Sequence, residues 1–289
     1  MAGRAWQLSA ADGTPLHGVD WLVDGPAQGG VVIMHGLGEH GGRYAHVARF
    51  FNERGWSVRG YDHRGHGKSG GPRGDTPDGE AMLRDGKLVL DDFARQIGST
   101  PLLLGHSMGG LFAARFATAA LSPLRGLILS SPALAVPLSG FQKFLLASLG
   151  AVAPGLGVPN GLQTRYLSHD PAVVQAYEND PLVHPKITPR LLRAMLAAIE
   201  YSHAHAPELK VPTLMIVAGA DRLVDASGSE RFFPRLAPGV GTLHLYPQLY
   251  HELFNETEAA TVFADVARWL DALPGRASGG QTAPTAATI

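Results

Sequence analysis

The chain contains no cysteine among its 289 residues. This absence excludes a disulfide framework, a thiol nucleophile and a cysteine-ligated zinc site, and it fits a reducing compartment. Charge is also scarce, because charged residues make up 17% of the chain and the net charge is −1. There is therefore no electrostatic case for a nucleic-acid partner.

Long apolar runs are missing as well. No apolar segment follows Arg4 near the N-terminus, as a signal peptide requires, and no run is long enough to span a bilayer. The hydrophobic content is nevertheless 45%, as expected of a globular chain. Together these features predict a soluble protein of the cytoplasm.

The chain does contain an alternation of strand-like and helix-like segments. The run VVIMHG is continuously apolar, which is typical of a strand buried on both faces. Helical spacing of apolar residues follows it and recurs along the chain. This order predicts an α/β fold with a mostly parallel central sheet and helices on both faces. Strands are predicted at 31–36, 56–62, 101–105, 124–131, 211–219 and 242–247.

One interval interrupts the alternation. About 80 residues without a strand signal follow the strand at 124–131, far more than a βα connection needs. From 137 to 164 the only charged residue is Lys143, and glycines and prolines break the run. We predict a helical cap that sits on the sheet, followed after the core by a flexible tail. The predicted ranges are 1–131 and 211–273 for the core, 132–210 for the cap and 274–289 for the tail.

A serine lies between two glycines where a predicted strand meets a predicted helix. The residues Gly105-His106-Ser107-Met108-Gly109 match G-x-S-x-G, the pattern of a nucleophilic serine in this context. The turn is so sharp that side chains two positions before and after the serine would clash, and glycine removes the clash. The hydroxyl of Ser107 is then exposed at a helix N-terminus, where negative charge is favoured.

A serine nucleophile needs a base that is oriented by a carboxylate, in the chain order Ser, Asp or Glu, His. Asp221 lies just past the strand VPTLMIVAG and is the predicted acid, with Asp225 in the same loop as the alternative. His251 lies past the last predicted strand and is the predicted base. His244 is its alternative, but it falls inside that strand, where a packed histidine is the simpler interpretation.

The oxyanion formed in acyl transfer needs two backbone N–H donors. We predict the amide of Met108, which follows the nucleophile, and the amide of Leu37 in an HGxG-like loop after an early strand. No metal site is predicted, because the other histidines, including His203 and His205, do not cluster with carboxylates at metal-ligand spacing.

Five motifs in this order resemble the monoacylglycerol lipase and lysophospholipase-like branch of the α/β-hydrolases, which is often grouped with the serine aminopeptidases. The motifs are HGLGEHGGRY, YDHRGHGKSGG, GHSMGG, AGADRLVD and YHELFNE. The resemblance covers the chain from about Trp6 to Leu273. It implies the α/β-hydrolase fold, hydrolysis of carboxyl esters, an apolar acyl tunnel under the cap and no cofactor.

The same resemblance assigns Glu39 and Arg43 to the pocket that holds the glycerol end of the substrate. The alternative is a structural ion pair that braces the oxyanion loop. A further histidine, three residues after the catalytic one in the animal enzymes of this branch, is Phe254 here. This departure weakens the transfer of glycerol recognition.

The predicted function is therefore hydrolysis of monoacylglycerol or a related small lipid ester through an acyl-enzyme. The cap is a candidate for transient contact with a membrane or micelle, and the sequence carries no signal for an oligomeric state. A short-chain esterase, a thioesterase and an aminopeptidase could use the same triad. An aminopeptidase would need acidic residues for the substrate amine, and Glu178 and Asp180 are the candidates. A non-catalytic binding protein on the same scaffold is the remaining alternative.

Overall fold

A computed structural model describes residues 3–136 and 152–274. Its centre is a sheet of eight strands in the order β1-β2-β4-β3-β5-β6-β9-β10. In chain order these are β1 (Arg4–Ser9), β2 (Pro15–Trp21), β3 (Gly29–Met34), β4 (Trp56–Tyr61), β5 (Leu102–His106), β6 (Gly126–Ser130), β9 (Thr213–Ala218) and β10 (Gly241–Tyr246). The pairs from β4 to β10 are all parallel, whereas β2 runs antiparallel to both of its neighbours.

Helices cover both faces of this sheet. One buried cluster joins the side chains of Val32 and Met34 on β3 to the helices of one face, and a second joins Val31 and Ile33 to those of the other. Successive residues of one strand point to opposite faces, so a strand that is covered on both faces, such as β3, favours a continuous apolar run. The helices of the core are α1 (Ala45–Asn52), α2 (Ala81–Ile97), α3 (Met108–Thr118), α6 (Ser227–Phe232) and α7 (Ala259–Ala272).

The predicted α/β-hydrolase fold is confirmed, and the strands expected between 31 and 247 are present with boundaries shifted by a few residues. The sequence analysis missed the N-terminal hairpin of β1 and β2. The edge strand β1 alternates exposed and half-buried residues, and its neighbour β2 alternates buried with less buried ones, so neither carries a continuous apolar run.

The interval between β6 and β9 contains helices α4 (Pro171–Glu178) and α5 (Pro189–Ala204). It also contains an antiparallel pair of two-residue strands, β7 (Val158–Pro159) and β8 (Lys186–Ile187), where no strand was expected. A strand of two residues is too short to give a periodic signal. Much of the apolar stretch from 137 to 164 lies outside the described residues, as do residues 275–289 of the predicted tail.

Candidate active site

Ser107 occupies the turn between β5 and α3 with φ 55° and ψ −120°. A positive φ is strained for a residue with a side chain, and it persists only where the surroundings impose it. A Cβ atom at Gly109 would lie 2.2 Å from the backbone oxygen of Met34, and one at Gly105 would lie 2.5 Å from the backbone oxygen of Gly109. The two glycines therefore let α3 approach the ends of β3 and β5, as the sequence pattern implied.

His251 and Asp221 are brought together from loops that are 30 residues apart in sequence. The Nδ1 atom of His251 lies 2.6 Å from Oδ2 of Asp221, and both side chains are almost completely buried. The other carboxylate oxygen of Asp221 accepts the backbone N–H groups of Leu223 at 2.8 Å and Val224 at 3.0 Å. The carboxylate is thereby fixed in the orientation that receives an Nδ1 proton.

The alternative acid and base lie elsewhere. Asp225 is exposed and its Oδ1 accepts the backbone N–H of Ser227 at 3.0 Å. His244 lies on β10, and its Nδ1 is 3.6 Å from Oδ2 of Asp265 on α7. The structure therefore brings together Asp221 and His251, not these alternatives.

The environment shifts the pKa of each member of this pair. Burial opposes the charged form of His251, but the charge and hydrogen bond of Asp221 outweigh burial and raise the pKa of the imidazole. Burial likewise opposes ionisation of Asp221, yet His251 and the two backbone donors lower the pKa of that carboxyl. The ring of His106 lies 4.6 Å from that of His251, and burial together with this neighbour lowers the pKa of His106 to about 4.

Leu37 and Met108 line the same cavity as Ser107 and His251. Neither amide donates a hydrogen bond to any residue within 3–136 or 152–274. Met108 is the first residue of α3, where the N–H groups have no intrahelical acceptor. Two free donors in residues that line one cavity with Ser107 form an arrangement that can stabilise an oxyanion.

Glu39 fixes the loop that carries Leu37. Its Oε1 accepts hydrogen bonds from the backbone N–H of Gly36 at 2.6 Å and from the hydroxyl of Tyr44 at 2.8 Å. Its Oε2 accepts a hydrogen bond from Nη1 of Arg43 at 2.5 Å. Burial raises the pKa of the Glu39 carboxyl, but the charge of Arg43 and these hydrogen bonds lower it by more.

Arg43 also binds Glu252, a residue that the sequence analysis missed. Its two terminal nitrogens lie 2.7 and 2.8 Å from the two carboxylate oxygens of Glu252, and its guanidinium lies 4.8 Å from the ring centre of Tyr177. Glu39 and Glu252 line the cavity, whereas Arg43 is not among its lining residues. The position of Glu252 directly after the predicted base was the one sequence signal that could have identified it.

The cavity above Ser107 has a volume of about 550 Å³. Among its polar lining residues, Glu39, Glu252, Asn160 and Tyr177 lie near the predicted oxyanion loop, and Gln163, Thr188 and Arg222 also line the cavity. Its apolar lining comes from the interval between β6 and β9, the predicted cap, and from the loop after β9, namely Ala133, Val136, Val158, Leu162, Leu167, Ile187, Leu192, Met195, Leu223 and Val224. One wall can therefore receive a polar group, and the larger remainder can receive a hydrocarbon chain.

Four imidazoles pack behind the oxyanion loop. The rings of His35 and His63 lie 4.3 Å apart, and those of His66 and His184 lie 4.7 Å apart. Burial lowers the pKa of all four, so the rings are neutral and act as hydrogen-bonding core residues. Among the described residues no three histidines, aspartates or glutamates are placed to hold a metal ion.

Comparison with known proteins assigns the family. The family model for the serine aminopeptidases, S33, matches residues 25–258. The chain belongs to this family. It is 37% identical to a monoacylglycerol lipase of Mycolicibacterium smegmatis over 255 residues, which cover 86% of this chain and 90% of that protein. It is 33% identical to the phospholipase YtpA of Bacillus subtilis over 84% of this chain and 95% of that protein.

A solved structure is similar to this chain over most of its length. The crystal structure of a monoacylglycerol lipase from Paleococcus ferrophilus superposes with a TM-score of 0.80 at 35% identity, covering 88% of this chain and 98% of that one. The predicted resemblance to the monoacylglycerol lipase-like branch and the predicted class, a carboxylic ester hydrolase, are confirmed. No helix in the described part of the chain is both long and apolar enough to cross a membrane.

The raised pKa of His251 predicts the pH dependence of this S33 hydrolase. Only a neutral imidazole can accept a proton, so kcat/KM rises with pH through one ionisation of the free enzyme. Because Asp221 raises the pKa of His251, we expect the midpoint above the ordinary histidine value of about 6.5. Initial rates with a p-nitrophenyl ester across pH 5–9 measure the midpoint of this pH profile. A profile that is flat over this range contradicts His251 as the base.

Proposed function

We propose that the protein hydrolyses monoacylglycerols through a Ser107–His251–Asp221 triad and an acyl-enzyme. The observation that carries the proposal is the buried pair of His251 and Asp221, of which His251 lines one cavity with the strained Ser107 and with Leu37 and Met108. The names of the relatives, monoacylglycerol lipases from two organisms, support the choice of substrate.

In the proposed reaction Oγ of Ser107 attacks the ester carbonyl while Nε2 of His251 takes its proton. Asp221 holds the Nδ1–H of the imidazole and stabilises the imidazolium. The amides of Leu37 and Met108 bind the oxyanion, each contributing on the order of 3 kcal/mol to the transition state. His251 then protonates the departing glycerol, and water cleaves the acyl-enzyme by the same route.

We assign the acyl chain to the apolar part of the cavity. Leu192 and Met195 of α5, on the cap, line it together with Leu223 and Val224 of the core. Each methylene moved from water into such surroundings contributes about 0.8 kcal/mol. A cavity of about 550 Å³ is within the range that holds a drug-sized ligand.

We assign the glycerol to the polar wall, where the carboxylates of Glu39 and Glu252 accept hydrogen bonds from its hydroxyl groups. Glu39 thus belongs to the substrate pocket, and Arg43 acts behind it by holding both carboxylates in place. The group of Glu39, Arg43 and Glu252 carries a net charge of −1, which opposes a phosphate headgroup beside it. They also leave no unpaired carboxylate for the free amine of an aminopeptidase substrate, since both bind Arg43.

Substitution of the triad tests the mechanism. We expect Ser107→Ala, His251→Ala and Asp221→Asn each to lower kcat by about 10³-fold or more, and the losses to be non-additive because the groups act as one unit. Asp225→Asn is the matched control, because it removes the exposed carboxylate of the same loop. Steady-state kinetics of all four variants measure the loss of kcat, and thermal melts show whether each variant is still folded. Loss of activity in Asp225→Asn with normal activity in Asp221→Asn overturns the assignment of the acid.

The chain-length profile tests the acyl site. We expect kcat/KM to climb a few-fold for each added pair of methylenes from acetate to medium-chain esters, and then to level off. Leu192→Glu should reduce turnover of decanoate far more than that of acetate, because it places a charge in the apolar wall. Ala197→Glu adds the same charge to an exposed position of the same helix and serves as the control. Equal loss for both esters in Leu192→Glu contradicts an acyl site at α5.

The headgroup is tested with substrates that share one acyl chain. We expect kcat/KM for 1-decanoylglycerol to exceed that for 1-decanoyl-lysophosphatidic acid by at least about tenfold, which corresponds to 1.4 kcal/mol of discrimination. Glu252→Gln removes one of the two negative charges and should narrow this ratio. A preference for the phosphate-bearing substrate in the wild type overturns the glycerol assignment and favours a phospholipid.

A further inference from the structure

A segment of the cap, Tyr166–His169, lies directly against the loop that carries His251. The backbone N–H of His251 donates to the carbonyl oxygen of Tyr166 at 3.4 Å, and that of Glu252 donates to the carbonyl oxygen of Leu167 at 2.8 Å. The hydroxyl of Ser168 donates to the carbonyl oxygen of Asn255 at 2.9 Å. The proposed base is therefore held by the cap as well as by the core.

Glu256 is the buried acidic residue at the centre of this contact. Its side chain is completely buried, and Oε1 accepts the backbone N–H of Tyr250 at 2.5 Å and Nδ1–H of His169 at 2.9 Å. Its Oε2 accepts the backbone N–H of His169 at 3.1 Å. Burying a carboxylate is costly unless donors satisfy it, and here the donors come from both the histidine loop and the cap. The proposed reaction makes no use of this group.

A contact between two aromatic rings also connects the cap segment to the loop that carries His251. The rings of His169 and Tyr250 are stacked, with centroids 3.6 Å apart and planes at 18°. Tyr250 immediately precedes His251, so Glu256 fixes this backbone on one side of the base, while Asp221 holds the imidazole itself. A displacement of about 1 Å at a catalytic group can cost about 100-fold in rate.

We propose that Glu256 is a positioning residue that ties the cap segment Tyr166–His169 to the histidine loop and thereby holds His251 in line with Asp221. The proposal rests on the proposed role of His251 as the base. In this arrangement the described part of the cap does more than cover the acyl chain, because one of its segments supports the catalytic geometry.

Two variants of Glu256 and one of the cap test this role. Glu256→Gln keeps one acceptor oxygen, Glu256→Ala removes both, and His169→Ala removes a donor and the stacked ring from a partly exposed position that the fold tolerates more easily. We expect kcat for a short ester to fall about 10- to 100-fold in the Glu256 variants and less in His169→Ala. KM should stay within about twofold, because no group that meets the substrate changes.

The control is Arg190→Gln, which removes the ion pair between cap residue Arg190 and core residue Asp75, far in sequence from the histidine loop. We expect it to leave kcat unchanged. A second readout does not depend on activity: the low-field proton resonance of the His251–Asp221 hydrogen bond should weaken or move in the Glu256 variants and persist in Arg190→Gln.

The possible failures are distinguishable. If His251→Ala remains active, the proposed mechanism fails, whatever the Glu256 variants do. If His251→Ala is inactive but Glu256→Ala and His169→Ala keep wild-type kcat and an unchanged resonance, only the positioning role is overturned. A fall in stability alone, with kcat and the resonance preserved, also overturns it, since that is the signature of a purely structural carboxylate.

Discussion

Arg43 lies between two buried carboxylates that are far apart in the chain, and the geometry of the site depends on this interaction. It binds Glu39, four residues away, and Glu252, 209 residues away. Glu39 in turn holds the amide of Gly36, and Glu252 directly follows His251. Removal of the arginine would leave two like charges buried side by side, a strongly unfavourable arrangement. The oxyanion loop and the histidine loop are therefore fixed relative to each other.

The sheet explains why these loops meet at all. Parallel strands bring their carboxyl ends to one edge, and β3, β5, β9 and β10 each end next to a segment that supplies part of the site. Ser107 follows β5, Asp221 follows β9 and His251 follows β10. Local devices then refine this arrangement: the two glycines that flank Ser107 set its strained turn, and backbone donors orient Asp221. The sheet thus brings these side chains close together, and the polar contacts orient them.

The sequence predicted the parts of the site that have local signatures. Ser107 was predictable because its turn demands glycine at fixed positions, and the parallel strands were predictable because burial on both faces demands continuous apolar runs. The contacts of Glu252 and Glu256 were not, because each depends on partners from distant segments, and a lone glutamate has no pattern of its own. The hairpin of β1 and β2 was missed for a related reason. Its side chains alternate in exposure and form no continuous apolar run, so these segments are strands because of their pairing with each other.

The cap constrains how a substrate can enter. Besides its contacts with the histidine loop, it bonds the oxyanion loop, since the backbone N–H of His184 donates to the carbonyl oxygen of Gly38 at 2.9 Å. A Cβ atom at Gly38 would lie 2.6 Å from the carbonyl oxygen of His184, so the two backbones are in close contact there. A rigid swing of the predicted cap away from the sheet would break both connections and release the proposed base and the proposed oxyanion loop together. Entry that keeps the proposed catalytic groups assembled must therefore leave Tyr166–His169 and His184 in place.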